Sequence, residues 1–131
     1  MVIDTSALVA IMLSEPSEPA LRAAVDKAAT RRLSSVSLLE AGIVMRARRG
    51  EESTSRLYGL IEEIGCEIVP FDLPQAKAAI AAFGRFGRGM GHKAQLNFGD
   101  CAVYAVAALR GEPLLATGGD FKTTDLLVAP F

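Results

Sequence analysis

Tryptophan is absent from these 131 residues, histidine occurs once and cysteine twice. No apolar run approaches the roughly 20 residues needed to cross a bilayer, the stretch Ala7 to Leu13 falling far short. A single histidine, His92, cannot build a histidine-rich zinc centre, so zinc chemistry is not expected. Cys66 and Cys101 fit free, buried thiols in a reducing interior better than a secreted disulfide framework, although sequence leaves a bridge between them open. An excess of basic charge is also missing: 14 Lys and Arg stand against 15 Asp and Glu. The molecule therefore has no overall field to gather nucleic acid, and any polyanion must be met by a local patch. Met1-Val2-Ile3-Asp4 lacks a basic leader region, so neither a targeting segment nor a membrane span is expected and the cytoplasm is the default compartment.

What the chain does have is apolar material, 50% of its residues, enough for one sizeable core. A single domain over residues 1–131 is expected. Its most informative stretch is Leu96-Asn97-Phe98-Gly99-Asp100-Cys101-Ala102-Val103-Tyr104-Ala105-Val106-Ala107-Ala108-Leu109. The pattern predicts a short turn and then a helix apolar almost all round, which belongs inside a protein. Asp100, in its first turn, is carried into a sheltered place, where a carboxylate is costly unless paired, hydrogen-bonded or metal-bound. The positive end of the helix dipole eases that cost.

Short apolar runs alternate with helical patterns along the rest of the chain. Val2-Ile3 reads as a buried strand stopping at Asp4, which with Thr5 and Ser6 either caps the next helix or lies at a ligand crevice beyond a strand end. Helical spacing follows to Leu13 and again over Ala20 to Ala29. Leu33-Ser34-Ser35-Val36 reads as a second strand. Ser37-Leu38-Leu39-Glu40 then matches a capping box, which leaves Glu40 either a helix cap or a functional acid. That helix ends at Arg48-Arg49-Gly50, cations and a glycine where helix ends favour them. Glu51 to Ile64 is a further helix, Cys66 to Phe71 a third strand, and Asp72-Leu73-Pro74 the start of a helix running over Ala76 to Phe83. Gly84 to Lys93 is a glycine-rich basic stretch, read either as a mobile loop or as a phosphate-wrapping one with Phe86 offering a face to a base. Leu114-Leu115-Ala116 is a fourth strand running into a loop with Asp120 and Asp125, and Leu126-Leu127-Val128 a last short one. The fold class is α/β, with a short-stranded, mainly parallel sheet covered on both faces.

Asp4, Glu40, Asp100 and Asp120 then fall at places that open towards one edge of such a sheet. Carboxylates converging without Lys or Arg repel one another unless a divalent cation compensates them. All-oxygen donors point to Mg²⁺ or Mn²⁺, and such a cluster suits phosphoryl chemistry.

These residues resemble the PIN-domain ribonucleases, and more narrowly the VapC-type toxins of bacterial toxin–antitoxin pairs. The likeness rests on Met1-Val2-Ile3-Asp4-Thr5-Ser6-Ala7, the Ser37-x-x-Glu40 segment, Leu96-Asn97-Phe98-Gly99-Asp100-Cys101, and Pro113-Leu114-Leu115 followed by Gly119-Asp120-Phe121 and Thr124-Asp125. It spans essentially the whole chain and implies a PIN-like three-layer α/β/α fold and metal-dependent hydrolysis of RNA, inhibiting translation or growth. By the same resemblance Asp4, Glu40 and Asp100 would hold Mg²⁺ or Mn²⁺, supported by hydrogen bonds from Thr5, Ser6 and Asn97, with a homodimer and a VapB-type antitoxin as partners. Arg85, Arg88, His92 and Lys93 are the candidate rim for RNA. The sequence departs from the family at Thr117, Gly118 and Gly119, where many PIN domains carry a fourth acid; Asp120 and Asp125 are the substitutes. A haloacid-dehalogenase-like phosphatase would want an Asp where Ser6 stands, and a receiver-like module a paired acid after strand one. A PIN-like module that only binds RNA or protein remains the alternative.

Overall fold

Val2–Ile3 forms strand β1, which ends at Asp4 because that side chain turns forward to accept from the Ser6 amide and caps helix α1 (Thr5–Met12). The computed structural model describes residues Met1–Phe131. After α1 come α2 (Glu18–Lys27), β2 (Arg32–Ser34), α3 (Ser35–Arg49), α4 (Glu52–Glu63), β3 (Glu67–Val69), α5 (Leu73–Phe86), α6 (Phe98–Arg110) and β4 (Leu114–Leu115). A single 3₁₀ turn, Asp120–Thr123, follows.

The four strands lie in the order β3-β2-β1-β4, every neighbouring pair parallel. The chain builds outward from β1 through β2 to β3, then returns to add β4 on the other side of β1. The order thus reverses between β1 and β4, and in open parallel sheets that switch point is where a crevice forms at the strands' carboxyl ends. Because side chains alternate along a strand, Ile3, Leu33 and Leu115 point into one core with α1 to α4, while Val2, Val69 and Leu114 point into a second with α5 and α6. The two cores are the two outer layers of an α/β/α sandwich. Helix α6 meets the expectation for it: Cys101 through Ala107 are all buried.

Three local expectations need correction. The serine that caps α3 is Ser34, not Ser37: Ser34 Oγ accepts from the Val36 amide at 3.2 Å, so β2 stops at Ser34 and α3 begins three residues earlier than the Ser37-x-x-Glu40 pattern predicts. Helix α5 runs on through Gly84 and Arg85 to Phe86, because Phe86 is buried against Tyr104, their ring centroids 5.7 Å apart. The final Leu126 to Val128 segment makes one parallel bridge, Val128 to Leu114, and not a full strand. The two thiols are free, and they pack against opposite cores, Cys66 with the first and Cys101 with the second. A bridge between them has a sheet in its way.

The cap assignment is open to direct test by urea unfolding. Ser34→Ala is expected to lower the unfolding free energy by about 1 kcal/mol and Ser37→Ala by clearly less, whereas the sequence pattern alone would reverse that order.

Candidate metal centre

Each acid reaches the carboxyl edge of the sheet by a different local device. Asp4 is placed by the end of β1: its Oδ2 accepts from the Ser6 amide at 2.9 Å and from Ser6 Oγ at 2.5 Å. Ser6 Oγ in turn accepts from the Thr117 amide at 3.0 Å. That bond crosses the switch point between β1 and β4 and ties the loop after β4 to the carboxylate after β1.

Glu40 lies inside α3, a turn beyond its start, and does not cap it. Its carboxylate is instead held by Thr5 Oγ1, which lies 3.3 Å from Glu40 Oε2 and 3.4 Å from the Ser37 carbonyl. It also rests against Gly99, where a Cβ would run into the Glu40 carboxylate. The glycine is what lets α3 bring this acid up to the start of α6.

The capping box sits at Asn97 and Asp100. Asn97 Oδ1 accepts from the Asp100 amide and Asp100 Oδ2 accepts from the Asn97 amide, both at 2.9 Å. Asp100 is thereby fixed in the first turn of α6 with its other oxygen free of a protein donor. Burial pushes its carboxyl up to about 6, with the charges of Asp4, Asp120 and Glu40 adding to the rise. Asp4 is raised chiefly by burial, against the pull of the Ser6 bonds, and also by Asp120. Glu40 is raised by burial and then by Asp4. The three acids and Asp120 therefore share one electrostatic neighbourhood.

None of the four takes part in an ion pair, and no Lys or Arg offsets the rise at Asp4, Glu40 or Asp100. The donors are all hard oxygens, which matches Mg²⁺ or Mn²⁺ in chemistry and in the sign of the missing charge. No three acidic, His or Cys side chains yet stand as a ready-made coordination shell. The fit is thus one of donor type and placement.

Asp125, the other substitute for a fourth acid, is engaged elsewhere. It accepts from the Tyr104 hydroxyl at 2.6 Å and from Arg85 Nη2 at 2.9 Å, which hold its carboxyl below the usual range. Among the rim candidates, Arg85 is committed to that pair, and its guanidinium lies over the Phe86 ring at 4.4 Å. Phe86 is buried and cannot offer a face to a base. His92 packs edge-on against Phe86 at 4.9 Å and accepts from the Ala94 amide at 3.1 Å, so it closes the loop on itself. Arg88 and Lys93 stand exposed on the loop that Arg88, Phe86 and Leu96 pinch shut just before Asn97. Two features escaped the sequence reading: Gly99, whose need for smallness depends on a residue 59 positions away, and Phe98, which is 81% exposed at the start of α6. An aromatic two residues before Asp100 is the signal the sequence offers for the second.

Comparison with known proteins gives a consistent family. The PIN domain profile matches residues 1–127. Ribonuclease VapC28 of Mycobacterium tuberculosis is 47% identical over 124 residues, spanning 95% of this chain and 93% of that protein. Among solved structures, M. tuberculosis VapC20, described as a sarcin-ricin loop cleaving toxin, superposes with a TM-score of 0.80 at 19% identity over 98% of each chain. A toxin–antitoxin complex from Klebsiella pneumoniae gives 0.76 at 15% identity over 99% of this chain and 97% of that one. At those identities the structural matches speak for the fold.

A carboxyl that binds its proton more tightly when folded stabilises the fold at low pH and loses that contribution as pH rises through its folded value. For Asp100 the window runs from the ordinary 3.8 to about 6. Metal-free protein in EDTA is therefore expected to melt at a higher temperature near about pH 5 than near about pH 7. Asp100→Asn should flatten that slope and raise the melting temperature at the higher pH. Further acidification reverses the trend as Asp125 and Glu112, both held low by their partners, take up protons.

Proposed function

The chain belongs to the PIN-domain family, within its VapC ribonuclease branch, and we propose that it acts as the toxin of a toxin–antitoxin pair by hydrolysing RNA phosphodiester bonds with a divalent cation held by Asp4, Glu40 and Asp100. The observation that carries the metal dependence is the cluster itself: raised carboxyls from three distant segments, at the sheet's switch point, with no cation of the protein among them. A bound Mg²⁺ or Mn²⁺ would lower the pKa of a water nucleophile and neutralise charge on the phosphate.

The protein's own groups prepare the site. Ser6 fixes the orientation of Asp4, Thr5 that of Glu40, and the Asn97–Asp100 box that of Asp100; partners of this kind commonly change metal affinity about 10- to 100-fold. Asp120 adds a fourth oxygen donor from the loop after β4. Arg88 and Lys93, on the loop that leads into α6, offset the acid cluster's repulsion of the RNA backbone, with Arg85 and His92 shaping the base of that loop. The reading as an inert binding module rested on Gly118 and Gly119 standing where an acid is expected. Asp120 weighs against it, because its charge bears on both Asp4 and Asp100.

We assign an antitoxin of the VapB type as partner on the strength of the family. A homodimer is supported by an apolar groove of about 440 Å³ between α5 and α6, lined by Phe71, Ile80, Phe83 and Phe98 among others. No helix is long and apolar enough to cross a membrane, and RNA as substrate fits a cytoplasmic site of action for this domain, residues 1–131.

Purified, antitoxin-free protein given total RNA is expected to yield discrete fragments with Mg²⁺ or Mn²⁺ and none with EDTA. Asp100→Asn should cut the rate by about 100-fold or more, since it removes the negative charge of a cation donor. Gly99→Ala, which drives a methyl into Glu40, is expected to lose at least about 10-fold while remaining folded. Full activity in Asp100→Asn would overturn the mechanism.

A further inference from the structure

The loop that carries Asp120 is held at both ends and by buried Phe121 between them. At its start the Thr117 amide donates to Ser6 Oγ. Gly118, at φ +85°, and Gly119 then turn the chain without contributing a side chain that could stiffen it. Asp120 opens the 3₁₀ turn, Phe121 is buried in the second core, and Thr124 Oγ1 donates to the Phe121 carbonyl at 2.7 Å and accepts from the Leu126 amide at 3.3 Å. At the far end stands Asp125, gripped by Tyr104 from α6 and Arg85 from α5.

Tyr104 is 5% exposed, and a buried phenol needs a partner for its hydroxyl. That partner is a loop carboxylate 21 residues away and five residues beyond Asp120. The ring is packed on Phe86, which also meets Arg85 and His92. Tyr104 therefore stands on a rigid part of the molecule, on the same helix that presents Asp100, and reaches out to the far end of the loop that carries Asp120.

We infer that Tyr104 is a positioning residue for the reaction: through Asp125 its hydroxyl holds the loop that presents Asp120 to the cation site formed by Asp4, Glu40 and Asp100. The inference rests on the metal-binding reading of those acids. Helix α6 then supplies one donor directly, at Asp100, and sets the place of another at a distance. A short loop with two consecutive glycines needs such an outside hold, since each glycine leaves the backbone more conformations to lose.

The test is Mn²⁺ binding to metal-free protein, read by calorimetry without RNA. Tyr104→Phe removes only the hydroxyl and keeps the ring on Phe86. It is expected to weaken Mn²⁺ binding by about 10-fold, as loss of a ligand-orienting contact commonly does, and Asp125→Ala, which removes the acceptor, should do the same from the exposed side of the pair. Asp120→Asn should weaken binding as well. The double variant Tyr104→Phe with Asp120→Asn should bind no more weakly than Asp120→Asn alone, because the hydroxyl acts only through Asp120. A general loss of packing would not give that non-additivity. Unchanged Mn²⁺ affinity in Tyr104→Phe and Asp125→Ala, unchanged affinity in Asp120→Asn, or effects that multiply in the double variant would each overturn the inference. Asp100→Asn is the control: if it binds Mn²⁺ as the parent does, the cation site itself is wrong and the inference falls with it, whereas its loss of binding beside an unaffected Tyr104→Phe sinks the inference alone.

Discussion

Mutual repulsion among carboxylates at one edge of a small sheet is the constraint on which most of this structure turns. Asp4, Glu40, Asp100 and Asp120 come from four separate segments, and no lysine or arginine pairs with any of them. Left to themselves such groups take up protons or move apart. The fold opposes both outcomes with local bonds: Ser6 on Asp4, Thr5 beside Glu40, and the reciprocal Asn97–Asp100 cap. Two of the acids also lie at helix N-termini, where the backbone dipole favours negative charge.

The anchor for these bonds is the buried helix α6. Seven consecutive residues of it are buried, so its first turn cannot shift without disturbing the second core. It presents Asp100, leaves a glycine-sized space for Glu40, and holds Asp125 through Tyr104. Rigidity deep in the core is thereby passed to charged groups at the edge, where preorganised placement matters for binding a cation.

Much of this was legible in the sequence, for a physical reason. A two-residue strand that stops at an acid and a helix with no polar face are local patterns, and they marked Asp4 and Asp100 and the α/β architecture that brings them to one edge. Glu40 is legible as a candidate acid, but local pattern leaves it between cap and functional group, because Ser34 and Ser37 offer the same side chain to the same helix start and only the end of β2 decides between them. The true capping box, at Asn97 and Asp100, uses an acid that had already been singled out for another role. The basic loop was read least well. Whether Phe86 faces water or Tyr104, and whether Arg85 is free or bound to Asp125 40 residues away, depends on contacts that no local pattern records. The same is true of Gly99, since its neighbour Glu40 is distant in the chain.

Where a divalent cation binds decides what the four carboxylates are for. Anomalous scattering from crystals of the Asp120→Asn variant soaked in Mn²⁺, set beside the parent protein, would locate it. In the parent, an Mn²⁺ peak within bonding distance of carboxylate oxygens from Asp4 and Asp100, with Glu40 turned towards it, is the predicted result; the variant should keep the peak at lower occupancy. A peak bound elsewhere on the chain, or crystals saturated with Mn²⁺ that leave Asp4 and Asp100 without it, would contradict the central claim that these carboxylates crowd together in order to hold a metal.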